Sequence, residues 1–141
     1  MNVDGFGEFN IVPCLENILT KDKAWGLAQQ WIDAWNSHDL DRIMALYDDS
    51  VELTSPVAAR LLDGNGTVQG KENVRAYFQR GLQAYPELAF DLKNVLWGVK
   101  SVVLYYESHK SKTQEPSHTA EFMELSDAEK IVLVVANYDA P

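Results

Sequence analysis

The carboxylates near the C-terminus are the first candidates for chemistry, and strand alternation separates them. In the segment HTAEFMEL, residues 118–125, successive side chains of a β-strand point to opposite faces. One face carries a single carboxylate among small and apolar residues: Thr119, Glu121, Met123 and Leu125. Glu124 belongs to the other face, so the two glutamates cannot act as a pair on one substrate. Burial of Glu121 would raise its pKa and suit it to general acid or base catalysis near neutral pH. A basic partner, or exposure to water, is the alternative for this residue.

Tyrosines could complete a site around this glutamate. Four of them could line a pocket: Tyr47, Tyr77, Tyr106 and Tyr138. Aromatic residues at these spacings more often form core, but a buried tyrosine hydroxyl needs a partner, which could be Glu121 or a ligand. His38 and Asp39 resemble half of a catalytic triad, although ending one helix and capping the next is the simpler role.

The sequence contains no recognisable metal-binding or phosphate-binding pattern. Its three histidines and one cysteine show no spacing such as HxxxH or CxxC, so we predict no metal site and no cofactor. His109 and His118 flank a predicted hairpin tip and can face each other across it, which is most simply an exposed hairpin mouth. The segment GNGTVQGK lacks the register of a phosphate-binding loop and is interpreted as a flexible rim, which could act as a lid.

The N-terminal half of the sequence is predicted to be mostly helical, and these helices must position the candidate side chains. A helix is predicted over about 21–36, capped by Thr20, because apolar residues recur on one helical face. These residues are Ala24, Leu27, Ala28, Trp31 and Trp35. Asp39 is predicted to cap a second, short helix with four inward residues, Leu40, Ile43, Leu46 and Tyr47. A third helix is predicted at KENVRAYFQRGLQAY, residues 71–85, after a loop at LLDGNGTVQG, residues 61–70.

The C-terminal half is typical of strands. A short strand at VELT, residues 51–54, ends at Ser55-Pro56, before the third helix. Four longer strands follow: LAFDLKNVLW with an irregularity near Lys93-Asn94, SVVLYYES, HTAEFMEL and IVLVVANYD. Helices followed by an antiparallel meander predict an α+β fold with helices on one face of a curved sheet.

Composition limits the classes of function. The chain has 141 residues, 46% of them hydrophobic, which suits one domain with a real core. A net charge of −9 argues against nucleic-acid and membrane-surface roles, because both partners are anionic. Cys14 alone cannot form an internal disulfide, and the N-terminus has no signal-peptide pattern, so we predict a cytoplasmic protein. Residues 1–20 are interpreted as an N-terminal arm and residues 21–141 as the domain.

The order of elements and several phrases together carry a family resemblance. They are WIDAWNSHDLDRIMALYDDSVELTSP, VQGKENVRAYFQ, VVLYYES and EFMELSDAEKIVLVVANYD, which cover nearly all of residues 22–139. The chain resembles the SnoaL-like branch of the nuclear transport factor 2-like superfamily. The resemblance implies a cone-shaped α+β barrel in which three N-terminal helices pack on a strongly curved, mostly antiparallel sheet. It also implies an apolar small-molecule pocket at one end and a homodimer formed through the outer face of the sheet.

The resemblance assigns places to individual residues. Glu121 faces the pocket, at the place of a protonated acid that donates to an oxyanion in the related ketosteroid isomerases. Ser55 stands where those enzymes have the proton-abstracting Asp, and Trp31 stands where they have an oxyanion tyrosine. A serine hydroxyl is no base without an activator, and an indole N–H cannot shuttle a proton, so steroid-type chemistry is disfavoured. The epoxide hydrolases of this fold need an Arg that is absent from SVVLYYES and EFMELSD, and the dehydratases need two pocket histidines.

Two functions stay open at this level. One is acid–base chemistry of the isomerase or cyclase type on an apolar, carbonyl-bearing substrate, with Glu121 carrying the proton and Trp31, Tyr106 and Tyr138 shaping the pocket. The other is a non-catalytic module that binds an apolar ligand or assembles as a dimer. Its outward sheet face would carry Phe122, Val135 and Asn137. A Glu121 buried at the end of an open pocket without a basic partner would favour the enzyme, whereas a cone filled by Trp31, Tyr47 and Phe78 would favour the module.

Overall fold

The computed structural model describes residues 18–62 and 64–139. Within these residues the chain forms four helices: α1 (Lys21–Ser37), α2 (Leu40–Met44), α3 (Pro56–Leu62) and α4 (Lys71–Ala84). The described strands are β1 (Tyr47–Thr54), β2 (Thr67–Gln69), β3 (Ala89–Trp97), β4 (Ser101–His109), β5 (Ser117–Leu125) and β6 (Ile131–Tyr138). The predicted arm falls mostly on residues 1–17, which lie outside the described residues.

A single curved sheet has the strand order β2-β1-β6-β5-β4-β3. β1 runs parallel to β6, and every other neighbouring pair is antiparallel. The sheet does not close, because β2 and β3 remain as its two edges. The predicted α+β class is therefore confirmed as helices on an open, mixed sheet. The irregularity predicted in β3 is also present, as a register shift between Leu92 and Asn94.

Capping residues fix the first two helices as the sequence predicts. The Thr20 hydroxyl accepts the Lys23 N–H at 3.2 Å and caps α1. His38 adopts the left-handed conformation, with φ of 58°, and its N–H returns to the Trp35 carbonyl. Asp39 then accepts the Arg42 N–H and begins α2. After this sharp reversal α2 packs against α1.

Three predictions about the region from α2 to α4 are wrong. The second helix ends at Met44, and Tyr47 begins β1, because the parallel pairing of Tyr47 with Ile131 on β6 extends that strand beyond VELT. The predicted loop at residues 61–70 contains the end of α3 and all of β2. Pro56 suits the first turn of α3, and β2 pairs with β1, so hydrogen bonding overrides the glycine-rich composition. The interpretation of residues 67–69 as a flexible rim is wrong for the same reason.

The core lies between the helices and the inner face of the sheet. α1 packs on β3 and α4 packs on β1. Its largest fully buried side chains include Tyr47, Ile43, Leu104 and Met123. None of the helices within the described residues combines the length and apolarity needed to span a bilayer.

Candidate active site

An aromatic-lined cavity of about 100 Å³ lies between the helices and the inner face of the sheet. Eight aromatic side chains line it: Trp31, Trp35, Tyr77, Phe78, Tyr85, Phe90, Tyr106 and Tyr138. Trp31 stacks on Phe90 with ring centroids 5.6 Å apart, and Trp35 meets the edge of Phe78 at 4.7 Å. These ring contacts leave a gap, so Trp31 and Phe78 form walls and do not fill the space.

Glu121 lies in this wall and is hydrogen-bonded to Tyr106. The phenol of Tyr106 donates to Oε1 of Glu121 at 2.7 Å, and Glu121 is only 7% exposed. The register of β4 and β5 sets this contact: Tyr106 lies opposite Thr119, which makes it a diagonal neighbour of Glu121 on the same face. Burial raises the pKa of Glu121 to about 7, against the opposing effect of the Tyr106 hydrogen bond.

No lysine or arginine among the described residues forms an ion pair with Glu121. The carboxyl group is therefore desolvated without a compensating positive charge from the part of the chain that the structure describes. Burial, and then the charge of Glu121, also raise the pKa of Tyr106 well above its ordinary value. At neutral pH the pair consists of a protonated phenol and a carboxyl group that can be either charged or neutral.

A hydroxyl cluster formed by Ser55, Tyr77 and Tyr138 lines the same cavity, where β1, α4 and β6 converge. Ser55 Oγ is 3.4 Å from the hydroxyls of both Tyr77 and Tyr138, and it accepts the Val57 N–H at 3.1 Å. Burial raises the pKa of Tyr138, as does the nearby Glu121. No histidine of the described residues contacts Ser55, so Ser55 has no activating base there and caps the start of α3.

Of the five residues predicted to line the pocket, four do and one does not. Trp31, Ser55, Tyr106 and Tyr138 face the cavity together with Glu121. Tyr47 is 1% exposed in the core and does not line the cavity, because it begins β1 and packs against Phe78. Its hydroxyl accepts the indole N–H of Trp31 at 3.0 Å. That N–H is thereby used inside the protein and is not offered to a ligand.

Several cavity residues were not singled out from the sequence. Trp35 follows Trp31 by one helical turn, and that spacing was the available signal for its role in the wall. Its indole nitrogen is buried without a hydrogen-bond partner among residues 18–62 and 64–139. Phe90 enters the wall from β3, ahead of the register shift. At the mouth, Lys110 Nζ lies 5.4 Å from the centre of the Tyr85 ring.

Comparison with known proteins places this geometry in a family. The sequence model of the SnoaL-like domain matches residues 28–134. A SnoaL-like protein of unknown function from Burkholderia thailandensis E264 is 32% identical, with a TM-score of 0.80 over 87% of this chain and 99% of that one. No curated protein sequence is significantly similar to the chain.

More distant solved structures share the fold. A protein of unknown function with a cystatin-like fold from Methylobium petroleophilum PM1 is 14% identical, with a TM-score of 0.70 over 88% of this chain and 80% of that one. A protein from Shewanella denitrificans OS-217, provisionally assigned as a SnoaL-like polyketide cyclase, is 15% identical, with a TM-score of 0.66 over 82% of this chain and 90% of that one. The family match and the fold agree, and the chain belongs to the SnoaL-like family of the nuclear transport factor 2-like superfamily.

Proposed function

We propose that this protein catalyses a proton transfer on an apolar, carbonyl-bearing small molecule, with Glu121 as the acid–base group. The observation that supports the proposal is a buried carboxyl group in an aromatic cavity, with a tyrosine donor and without an ion-pair partner among the described residues. Isolated buried carboxyls are costly to keep, and such groups concentrate at functional sites.

The chemistry follows from the pKa of Glu121. A value of about 7 leaves both protonation states populated near neutral pH, which is the condition for efficient general acid–base catalysis. The carboxylate would remove a proton from the carbon next to the substrate carbonyl, and the resulting acid would return it to another atom of the same molecule. Tyr106 binds Oε1 and leaves Oε2 for this exchange.

The hydroxyl cluster of Ser55, Tyr77 and Tyr138 would bind the carbonyl oxygen of the substrate. The hydroxyls of Ser55, Tyr77 and Tyr138 lie together, with long contacts of 3.4 Å that a ligand oxygen could replace. The rings of the wall favour a flat apolar body, which they can stack against. This reading requires only one proton carrier and is consistent with Ser55 replacing the Asp of the isomerases.

Deuterium exchange tests proton abstraction without knowledge of the product. A panel of cyclic ketones and enones is incubated with the protein in D₂O, and loss of the signals of protons next to the carbonyl is followed by NMR. We expect accelerated exchange for a member of the panel, abolished in Glu121→Gln. Glu124→Gln is the matched control, because Glu124 is exposed on the opposite face of β5. Exchange that persists in Glu121→Gln would contradict the proposal.

A second proposal concerns assembly, and the exposed outer face of the sheet supports it. Tyr105 on β4 is 39% exposed and Leu96 on β3 is 54% exposed. Phe122 and Val135 are half-buried neighbours in the pairing of β5 with β6. We propose that this face joins two copies of the chain, since apolar exposure of this kind is typical of interfaces. Sedimentation velocity should give a dimer for the wild type and a monomer for Phe122→Glu; a monomeric wild type would contradict it.

A further inference from the structure

The outer face of the sheet carries a row of ionisable side chains across four neighbouring strands. Asp91 on β3 lies opposite Glu107 on β4, and Glu107 lies opposite His118 on β5. Asp139, just after β6, follows His118 in the row: its Oδ2 lies 2.8 Å from His118 Nδ1. His109 stands two residues beyond Glu107 on the same face, with its Nε2 3.4 Å from Oε1 of Glu107. The row is on the side of the sheet opposite to Glu121.

The charges in the row do not balance. Asp91 and Glu107 are directly opposite each other, an arrangement of like charges that destabilises a strand pair. Lys93 lies between them, 2.9 Å from Oδ2 of Asp91 and 4.0 Å from Oε1 of Glu107. Lys93 is thus shared by two carboxylates, and Asp139 beside His118 adds a third carboxylate to the row, so a divalent cation would complete the balance.

The donor atoms already have the spacing of a coordination site. Asp91, Glu107 and His109 each offer one ligand atom, and these atoms all lie within 4.8 Å of one another. A tetrahedral zinc ion with bonds of about 2.0–2.1 Å separates its ligand atoms by about 3.3 Å. The 3.4 Å between His109 Nε2 and Glu107 Oε1 is close to that separation. The other ligand atoms lie at most 4.8 Å apart, so they would move together by up to about 1.5 Å around the ion.

His118 is held in the orientation that supports such a site. Its Nδ1 faces the Asp139 carboxylate, its ring stacks on Tyr105 with planes 11° apart, and its Nε2 lies 3.5 Å from Oε2 of Glu107. The Asp139 carboxylate and the Tyr105 ring fix the orientation of the imidazole, whose Nε2 side lies against Glu107. His118 thus orients Glu107 from the side opposite to His109.

We propose that Asp91, Glu107 and His109 bind a divalent transition-metal ion of the zinc class, with His118 as a positioning residue. The mixed imidazole and carboxylate donors favour this class over Mg²⁺ or Ca²⁺, which take oxygen ligands. Lys93 occupies the cation position in the metal-free state, and its partly exposed side chain swings into solvent when the metal binds. The site is independent of the proposed proton transfer. The proposal departs from the prediction of no metal site, because the ligands come from two strands and follow no short spacing motif.

Isothermal titration calorimetry of the full chain with ZnCl₂ tests the proposal. We expect one ion per chain for the wild type, no measurable binding by His109→Ala or Asp91→Asn, and about tenfold weaker binding by His118→Ala. Lys93→Met should bind several-fold more tightly, since the competing ammonium group is lost. Glu124→Gln, which removes an exposed carboxylate from the same face, is the matched control and should bind like the wild type. Circular dichroism confirms that each variant is folded.

The spectrum of bound Co²⁺ provides a second readout, because a site with one imidazole and two carboxylates gives ligand-field bands that His109→Ala should abolish. Wild-type binding that survives in His109→Ala would overturn the proposal. Displacement of Zn²⁺ by a large excess of Mg²⁺ would also overturn it, because that result means unspecific attraction of cations to an acidic surface.

Discussion

The phenol of Tyr106 donates a 2.7 Å hydrogen bond to Oε1 of Glu121, and both residues are buried. The contact joins two adjacent strands diagonally and holds the carboxyl group in the cavity wall. The hydrogen bond lowers the pKa of Glu121, because it stabilises the charged form, whereas burial raises this pKa. The balance between the two effects sets the pKa of Glu121 at about 7.

Replacing Tyr106 by Phe should therefore raise the pKa of Glu121 above this value. Burial is retained, and the hydrogen bond from Tyr106 that opposes its effect on the pKa is lost. The measurement is a carboxyl-carbon NMR titration of the wild type and the variant, with Glu121→Gln to assign the signal. Tyr105→Phe is the matched control, since the neighbouring ring is exposed on the other face of β4. A lowered or unchanged pKa in Tyr106→Phe would mean that the Tyr106 hydrogen bond does not stabilise the charged form of Glu121.

The same pKa predicts how the stability of the fold depends on pH. Glu121 has a pKa of about 7 in the folded protein and 4.5 as its ordinary value, so the folded state binds more protons between these values. Stability then falls as pH rises through this window, because the unfolded state ionises more easily. At 1.36 kcal/mol for each pKa unit, the loss from this group is about 3 kcal/mol.

Chemical denaturation across this pH window measures the effect. Other carboxyl groups titrate as well, so the quantity of interest is the free energy of unfolding of the wild type minus that of Glu121→Gln. We expect this difference to decrease steadily from about pH 4.5 to about pH 7. A difference that does not change with pH would show that Glu121 is hydrated or paired with a cation.

Ser55 provides a prediction that separates structure from chemistry. Its hydroxyl accepts the Val57 N–H, so Ser55→Ala removes the cap of α3 and should cost about 1 kcal/mol of unfolding free energy. The pKa of Glu121 should stay the same, because Ser55 is not among the groups that perturb it. Urea denaturation measures the loss of unfolding free energy, and the carboxyl-carbon titration measures the pKa of Glu121. A shifted pKa would indicate that Ser55 belongs to the proton-transfer machinery.

Local sequence patterns predicted most of the helices and strands, and they predicted which face of β5 lines the site. Alternation on β5 separated Glu121 from Glu124, and capping residues located α1 and α2. The contact between Tyr106 and Glu121 could not be derived in the same way. It depends on the register of β4 against β5, which the hairpin between them sets, and a shift of one residue would point Tyr106 away.

Other errors came from tertiary contacts that overrule local preference. Tyr47 follows a helical pattern in sequence, yet its pairing with Ile131 on β6 makes it the first residue of β1. α3 is too short to show a periodic pattern. Its helical geometry depends on the cap from Ser55 and on the turn that follows, where the chain returns to pair with β1. The conformation of such short elements depends on their contacts with the rest of the chain.

That turn leads to a prediction for Gly66. Its φ is +88°, in the region that favours glycine, and its carbonyl accepts the Ser55 N–H at 2.9 Å. A Cβ at this position would lie 3.0 Å from the Ser55 carbonyl oxygen and 3.3 Å from Ala59 Cβ. Backbone strain and crowding against backbone therefore act together, and Gly66→Ala should lose more than about 1 kcal/mol of unfolding free energy.

Gly64→Ala is the matched control, because a Cβ there meets nothing within 4 Å and the φ of Gly64 is not positive. We expect Gly64→Ala to unfold within about 0.5 kcal/mol of the wild type, as exposed substitutions usually do. Because Gly66 holds Ser55 at the end of β1, Gly66→Ala should also disturb the contact between the hydroxyls of Ser55 and Tyr138. Thermal unfolding with both variants measures the first effect, and the Tyr138 ring signals in NMR report the second. Equal stability of the two variants would mean that the turn can adopt another conformation without strain.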